Sequence, residues 1–136
     1  MQYVPFIAIL AAYALIYIPR MGPVSSAMKA LPGGYNNNDP RTQITLLEGA
    51  GRRAANAHQN AIEAFAPFAA GVILAMLRMP QHEDIVSIVC IAFVVVRTVY
   101  LFAYLADNAS LRSGMWTLGV LATGTLMVIG IIGPKL

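Results

Sequence analysis

Four long apolar segments constrain the fold of this chain more than any other feature. They cover about residues 1–18, 50–78, 85–106 and 113–133. A helix needs roughly 20 apolar residues to cross the hydrocarbon core of a bilayer. Only 11% of the residues are charged, against roughly 25% in ordinary soluble domains. The pattern predicts an all-α membrane protein, an antiparallel bundle of four transmembrane helices, as a single domain over residues 1–136.

The first segment contains no charge, and it lacks the basic start and the cleavage site of a signal peptide. We therefore expect a retained helix that ends at Pro19-Arg20. Pro32-Gly33-Gly34 and the run from Asn36 to Pro40 are turn signals. They predict irregular structure over about residues 22–42.

The basic residues are unevenly distributed along the chain. Five of the nine lie between the end of the first helix and the start of the second: Arg20, Lys29, Arg41, Arg52 and Arg53. The positive-inside rule predicts that this loop is cytoplasmic and that both termini lie outside. The net charge of +3 then reflects topology and contact with acidic ligands or lipids. Nucleic acid is not a predicted partner because no aromatic–basic motif is present. The expected location is a bacterial inner membrane.

The second helix carries polar side chains that are unusual inside a membrane. At about 100° per residue, six of them share or flank one stripe, and His58 points away from it. The six are Arg52, Arg53, Asn56, Gln59, Asn60 and Glu63. On the third helix, Arg97, Tyr100 and Tyr104 share a face.

Glu63 and Arg97 are expected at the same depth, roughly 15 Å from the cytoplasmic ends of their helices. An unpaired charge at that depth costs several kcal/mol, so the sequence predicts an ion pair. Two interpretations of the pair remain open. It fixes the helix register, or it forms the floor of a polar pocket that includes Asn56, Asn60 and the tyrosines.

The start of the fourth helix supplies Arg112 and Ser113, where free backbone N–H groups favour an anion. The alternative for Arg112 is an interfacial arginine that only sets topology, and Trp116 is typical of an interfacial anchor. Cys90 lies in an apolar run and has no partner cysteine. No histidine or cysteine set has metal-ligand spacing, so no metal site is predicted.

Three stretches of this sequence resemble the MAPEG superfamily, the membrane-associated proteins of eicosanoid and glutathione metabolism. They are Arg53-Ala-Ala-Asn-Ala-His-Gln-Asn-Ala-Ile-Glu63 with Ala66-Pro67-Phe68, then Arg97-Thr-Val-Tyr-Leu-Phe-Ala-Tyr104, and Leu111-Arg112-Ser113. The resemblance implies a homotrimer of four-helix protomers that binds glutathione between neighbouring protomers and takes a lipophilic co-substrate from the membrane, through a groove between the first and fourth helices.

The resemblance also implies roles for individual residues. Arg112, with Ser113, would stabilise the thiolate of glutathione. The expected binding residues are Arg53, Asn56, His58, Asn60, Glu63, Arg97, Tyr100 and Tyr104. The implied activity, of a detoxifying kind, is addition of glutathione or a related thiol to lipophilic electrophiles, or reduction of lipid hydroperoxides.

Asn56 and Gln59 depart from parts of the family, because the eicosanoid-making members carry an arginine at the position of Asn56 and one branch carries another at the position of Gln59. This departure favours an alternative, a non-catalytic member that binds a lipid or a protein and has a degenerate thiol site. A channel or transporter is a weaker third interpretation, since the outer half of the chain is apolar and offers no path through the membrane.

Overall fold

The computed structural model describes residues 2–133 and, within that range, contains helices joined by short turns and one loop. Helix α1 is followed by a π-helical turn, and a short 3₁₀ turn precedes α5. The elements are α1 (Val4–Pro19), the π-helical turn (Arg20–Val24), α2 (Ser25–Lys29), α3 (Pro40–Thr45), α4 (Gly49–Arg78), the 3₁₀ turn (Pro80–His82), α5 (Glu83–Leu105) and α6 (Ala109–Ile132).

Four helical segments are long and apolar enough to cross a membrane: Val4–Lys29, Gly49–Arg78, Glu83–Leu105 and Ala109–Ile132. The prediction of an all-α membrane protein with four spanning helices is confirmed. Short turns join α4 to α5 and α5 to α6, so consecutive helices run in opposite directions.

Helix α1 ends at Pro19, where the sequence predicts its end. The chain nevertheless stays helical beyond it, through the π turn and α2, to Lys29. Pro19 and Pro23 lack the N–H group that an α-helical turn requires. A wide π turn carries the chain past them, with the Ser25 N–H donating to the Arg20 carbonyl five residues back. The irregular loop is consequently confined to residues 30–39 rather than 22–42.

The turn between α5 and α6 also differs from expectation. Asp107 adopts a left-handed conformation, with φ of 61°. The Asn108 side chain then caps α6 by accepting a hydrogen bond from the Leu111 N–H at 3.0 Å. Helix α6 therefore begins at Ala109, earlier than predicted, and Arg112 and Ser113 lie where its first turn ends. They are near the helix N-terminus, as predicted, but the Arg112 N–H is not free for an anion, because it donates to the Asn108 carbonyl at 3.0 Å.

The core lies between the four spanning helices. Phe68 of α4 stacks on Phe93 of α5 with ring centroids 3.7 Å apart. A second cluster of buried residues fixes the loop region against α4, and it consists of Val24, Met28, Leu47 and Ala54. Because this cluster joins the π turn, α2 and the residues after α3 to α4, it fixes the elements between α1 and α4 against the start of α4.

Candidate functional site

Two arginines and two tyrosines form a row along α5 and the start of α6. The Arg97 guanidinium carbon lies 4.2 Å from the Tyr100 ring centroid. The Tyr100 and Tyr104 rings meet edge to face at 5.5 Å. The Arg112 guanidinium carbon then lies 4.7 Å from the Tyr104 centroid. We call these four residues the cation–aromatic row. Arg97, Tyr100 and Tyr104 share a face, as their spacing predicts.

An open groove of about 430 Å³ lies at the Arg112 end of the row. It is lined by Tyr100, Tyr104, Arg112, Ser113, Trp116 and Thr117. We call it the Arg112 groove. Within residues 2–133 the Arg112 guanidinium contacts the Tyr104 ring and donates no hydrogen bond to a protein acceptor. Five N–H donors are therefore available to a ligand in the groove.

A second cavity, of about 360 Å³, runs along α4 and α6 and is bordered by Trp116, which also borders the Arg112 groove. We call it the Asn60 cavity. Its polar end contains Asn60, Glu63 and Arg97, and its remaining walls are mainly apolar. The Oδ1 atom of Asn60 is buried and has no hydrogen-bond partner in the described part of the chain. A buried acceptor without a partner favours a ligand whose N–H or O–H group can donate to it.

Arg97 packs between α5 and α6 beside Gly119. A Cβ atom at Gly119 would lie 3.4 Å from the Arg97 Cδ, at the close limit of ordinary van der Waals contact. Arg97 is only 6% exposed. Burial of the guanidinium against the Tyr100 ring orients it toward the Asn60 cavity.

The predicted ion pair between Glu63 and Arg97 does not form within the described protomer, and this prediction is wrong. Glu63 lies on the exposed face of α4 and accepts a hydrogen bond from the Gln59 Nε2 at 3.2 Å. Arg97 is turned toward Tyr100 instead. Both charges nevertheless line the Asn60 cavity, Glu63 from α4 and Arg97 from α5.

Arg53 lies outside both of these cavities. Its Nη1 forms an ion pair with the Asp107 Oδ2 at 3.3 Å, which joins the start of α4 to the α5–α6 turn. The resemblance assigned Arg53 to the thiol site, whereas the contact indicates that it positions the turn from which Arg112 follows. The Arg53 Nε is buried without a partner among residues 2–133.

His58 points away from the polar stripe, as predicted, and contacts α1. Its Nδ1 lies 2.7 Å from the Ile16 carbonyl oxygen. A carbonyl can only accept, so Nδ1 carries the proton and donates. This bond ties α4 to α1 just before the π turn.

A third cavity, of about 610 Å³, lies between the π turn, α3 and α4, and we call it the α3 cavity. Asn56 and Gln59 line it together with His58, Arg20 and Arg41. The predicted binding residues are thus divided in one protomer, with Asn60, Glu63 and Arg97 on the Asn60 cavity and the tyrosines on the Arg112 groove. Sequence reasoning missed Thr117, which stands one turn after Ser113, and it used Arg41 only for topology.

No curated protein and no solved structure matches this chain in the comparisons with known proteins. The family comparison does find a match, and it extends over residues 3–132, from the start of α1 to the end of α6. It therefore includes all four spanning helices, the cation–aromatic row and the three cavities. The chain belongs to the MAPEG family.

Proposed function

We propose that this protein is a membrane-embedded, glutathione-dependent transferase or peroxidase. The observation that supports this proposal best is the position of Arg112, which is held on the Tyr104 ring with its donors directed at an open groove. Membership of the MAPEG family supports a role in glutathione-related or eicosanoid chemistry.

The proposed chemistry is activation of a thiol. The sulfur of glutathione reacts as the thiolate, and a fixed cation nearby lowers the pKa of the thiol. Arg112 would supply that cation, and the Ser113 hydroxyl, on the same groove, would donate a hydrogen bond to the sulfur. The thiolate then attacks an electrophilic carbon and displaces its leaving group as an anion. With a lipid hydroperoxide it attacks the outer oxygen, the O–O bond breaks and the lipid leaves as an alcohol after taking up a proton. A second glutathione thiol then converts the resulting sulfenic acid to glutathione disulfide and water.

The Asn60 cavity supports recognition of both substrates. Its polar end offers Arg97 to a carboxylate, Glu63 to an ammonium and the unpartnered Asn60 Oδ1 to an N–H group. Its apolar walls along α6 suit a lipophilic molecule that enters from the membrane. Since Trp116 borders this cavity and the Arg112 groove, a molecule in one would meet a thiolate in the other.

We further propose that the protomers form a homotrimer. Four polar residues of α4 are exposed along one face of a membrane-spanning helix: Arg52, Asn56, Gln59 and Glu63. Charged and amide groups facing lipid are costly, so this face requires a protein or aqueous neighbour. Second copies of the chain are the partner that the family leads us to expect. The bacterial inner membrane and the external termini remain predictions.

A conjugation assay tests the proposed activity. Purified protein is mixed with glutathione and a chlorodinitrobenzene electrophile, and the rate is compared among wild type, Arg112→Ala and Arg112→Lys. We expect a loss of about 100-fold or more in Arg112→Ala and partial retention in Arg112→Lys, since charge stabilisation of this kind is worth several kcal/mol. Lys29→Ala is the matched control, because Lys29 is exposed and lines none of the three cavities. Equal rates in wild type and Arg112→Ala would refute the mechanism.

The alternative function is binding without catalysis. It is favoured by one observation, which is that Asn56 and Gln59 replace family arginines and line the α3 cavity rather than the Arg112 groove. Calorimetric titration with glutathione separates the two functions. Absence of heat and of any thermal shift at millimolar glutathione would favour the non-catalytic alternative.

A further inference from the structure

Trp116 is the one residue, among those that the structure describes, that lines both the Arg112 groove and the Asn60 cavity. On the α5 side the boundary between the two spaces is formed by Arg97, which lines the cavity, and Tyr100, which lines the groove. These two residues stack on each other and are only 6% and 4% exposed. The α5 side of the boundary is therefore fixed by packing, and Trp116 forms the opposite side on α6.

The Trp116 side chain is not fixed in the same way. It is 48% exposed, and it forms no hydrogen bond or ring contact with another residue of the described range 2–133. A tryptophan that serves only as packing usually finds a partner for its indole N–H when it is buried. The indole can therefore change its rotamer without breaking a specific contact.

The direction of the indole brings it close to the proposed thiol chemistry. Side chains on a helix lean back over the turn that precedes them. The turn that precedes Trp116 carries Arg112 and Ser113, and all three residues line the same groove. The indole consequently stands next to the position proposed for the thiolate, on the side from which a molecule in the Asn60 cavity would approach.

The depth of Trp116 argues against the role of an interfacial anchor. Helix α6 begins at Ala109, so Trp116 lies roughly 10 Å along its axis. The helix has 24 residues and is about 36 Å long, against about 30 Å for the hydrocarbon core. When the helix is centred in the bilayer, Trp116 lies below the headgroups, where anchoring tryptophans are found. Its place in the wall between two cavities is the better explanation.

We propose that Trp116 is the specificity-determining residue of this protein, because its indole narrows the passage from the Asn60 cavity to the thiolate in the Arg112 groove. Slim or flat lipophilic electrophiles pass beside the indole, and branched ones are excluded. The inference rests on the proposed function, since it assumes that a thiolate forms beside Arg112. It adds to that function the class of co-substrate, which is a flat or unbranched lipophilic electrophile.

The test compares two electrophiles that share one reactive group, benzyl isothiocyanate and the branched diphenylmethyl isothiocyanate. The thiolate forms an S–C bond to the isothiocyanate carbon, the electron pair of the C=N bond moves to nitrogen, and the nitrogen takes up a proton, so no group leaves. The full-length protein is assayed at saturating glutathione. The quantity measured is the ratio of kcat/KM for the branched and the slim electrophile, each divided by its uncatalysed rate constant.

Wild type should prefer the benzyl compound. Trp116→Ala should raise the ratio in favour of the branched compound about tenfold, and Trp116→Phe should raise it less, because a group that does not fit a pocket costs about that factor in discrimination. A ratio is insensitive to partial unfolding and to weaker binding of glutathione. A tryptophan that only anchors the helix would lower both rates and leave the ratio unchanged.

Leu118→Ala is the matched control for this ratio. Leu118 lies on the same helix, is 46% exposed and lines none of the three cavities, so its removal should leave the ratio at the wild-type value. The melting temperature of each variant verifies that it is folded.

A second measurement needs no activity. The chain has one tryptophan, so its fluorescence reports on Trp116 alone. Unreactive 4-bromodiphenylmethane should quench this fluorescence to saturation when it fills the Asn60 cavity, because bromine in contact with an indole quenches its emission. Gly124 lines that cavity, and a Cβ there meets no atom within 4 Å, so Gly124→Leu should fill the space and weaken the quenching. Val128→Leu, at an exposed position outside the three cavities, should quench as wild type does.

Two results would overturn the proposal: an unchanged ratio in folded Trp116→Ala, or quenching in Gly124→Leu as strong as in wild type. Absence of conjugation with both electrophiles in wild type is a different result, because it would refute the proposed function. The quenching measurement would then decide by itself whether the indole borders a cavity that a lipophilic molecule occupies.

Discussion

The Arg112 guanidinium carbon lies 4.7 Å from the centroid of the Tyr104 ring, in a groove where no protein group among residues 2–133 accepts its hydrogen bonds. A guanidinium stacked on an aromatic face is oriented by the ring, not by the phenol hydroxyl. Tyr104→Phe should therefore keep thiol-transfer activity within about threefold of wild type, whereas Tyr104→Leu should lower kcat/KM about tenfold, equivalent to the loss of a partly desolvated cation–π contact.

The measurement is kcat and KM for glutathione in both variants. The family resemblance implies that Tyr104 contacts the peptide. If that contact is made through the hydroxyl, Tyr104→Phe will raise KM as strongly as Tyr104→Leu does. That outcome would contradict the orienting role of the ring.

Glu63 and Arg97 should behave as independent residues in the protein without ligand. Glu63 is bonded to Gln59, and Arg97 is stacked on Tyr100. The effects of Glu63→Gln and Arg97→Gln on the free energy of unfolding in mixed micelles should add within about 0.5 kcal/mol. A coupling energy above about 1 kcal/mol would show that the two charges meet, for example across a subunit boundary, and would contradict their independence.

The sequence predicts the spanning helices well because each one must fill the hydrocarbon core with apolar side chains. The differences lie just beyond Pro19, where the chain stays helical, and at Ala109, where the fourth spanning helix begins earlier than predicted. Proline usually ends a helix, but a π turn supplies an alternative hydrogen-bond register that a residue pattern does not reveal. At the start of α6, Asn108 is an ordinary N-cap residue, so this boundary could be recognised from the sequence.

The site was harder to predict than the fold. Periodicity places Glu63 on the polar stripe of α4 and Arg97 on the face of the tyrosines, and the structure agrees with both. It does not reveal whether two side chains at one depth point toward each other, because that depends on their rotamers and on the side chains packed around them. Contacts between distant segments, such as Arg53 with Asp107, leave no local pattern at all.

Substitutions of Asp107 should change the unfolding free energy through the backbone conformation more than through the charge. Its φ of 61° is costly for most side chains and tolerated by asparagine and glycine. The ion pair with Arg53 is largely exposed, with 28% and 67% of the two side chains accessible, so it contributes at most about 1 kcal/mol. Asp107→Asn and Asp107→Gly should change the unfolding free energy little, while Asp107→Ala should cost about 1–2 kcal/mol more. Thermal unfolding in detergent gives the order of stability of the three variants. An Asp107→Asn variant as unstable as Asp107→Ala would show that the ion pair dominates.

Gly130 and Gly124, both on α6, allow a comparison between a tightly packed glycine and an open one. A Cβ at Gly130 would overlap the Leu74 side chain of α4, whereas a Cβ at Gly124 would have no atom within 4 Å in the described protomer. Gly130→Ala should lower the unfolding free energy by about 1–3 kcal/mol through overpacking. Gly124→Ala should leave it unchanged or raise it by up to about 1 kcal/mol, since alanine favours helix. Comparing the two melting temperatures tests this, and a marked loss in Gly124→Ala would reveal a neighbouring subunit at that position.

His58 should stabilise the fold without binding the thiol substrate. Its Nδ1–H donates to the Ile16 carbonyl at 2.7 Å, next to the π turn that carries α1 past Pro19. Loss of a partly buried hydrogen bond of this kind costs about 1–2 kcal/mol, so His58→Ala should melt earlier than wild type. His58→Asn, whose amide can donate in the same direction, should recover part of that stability. The KM for glutathione should be unchanged in both variants at a temperature where they stay folded, because His58 lines neither the Arg112 groove nor the Asn60 cavity. A raised KM with an unchanged melting temperature would instead return His58 to the ligand site.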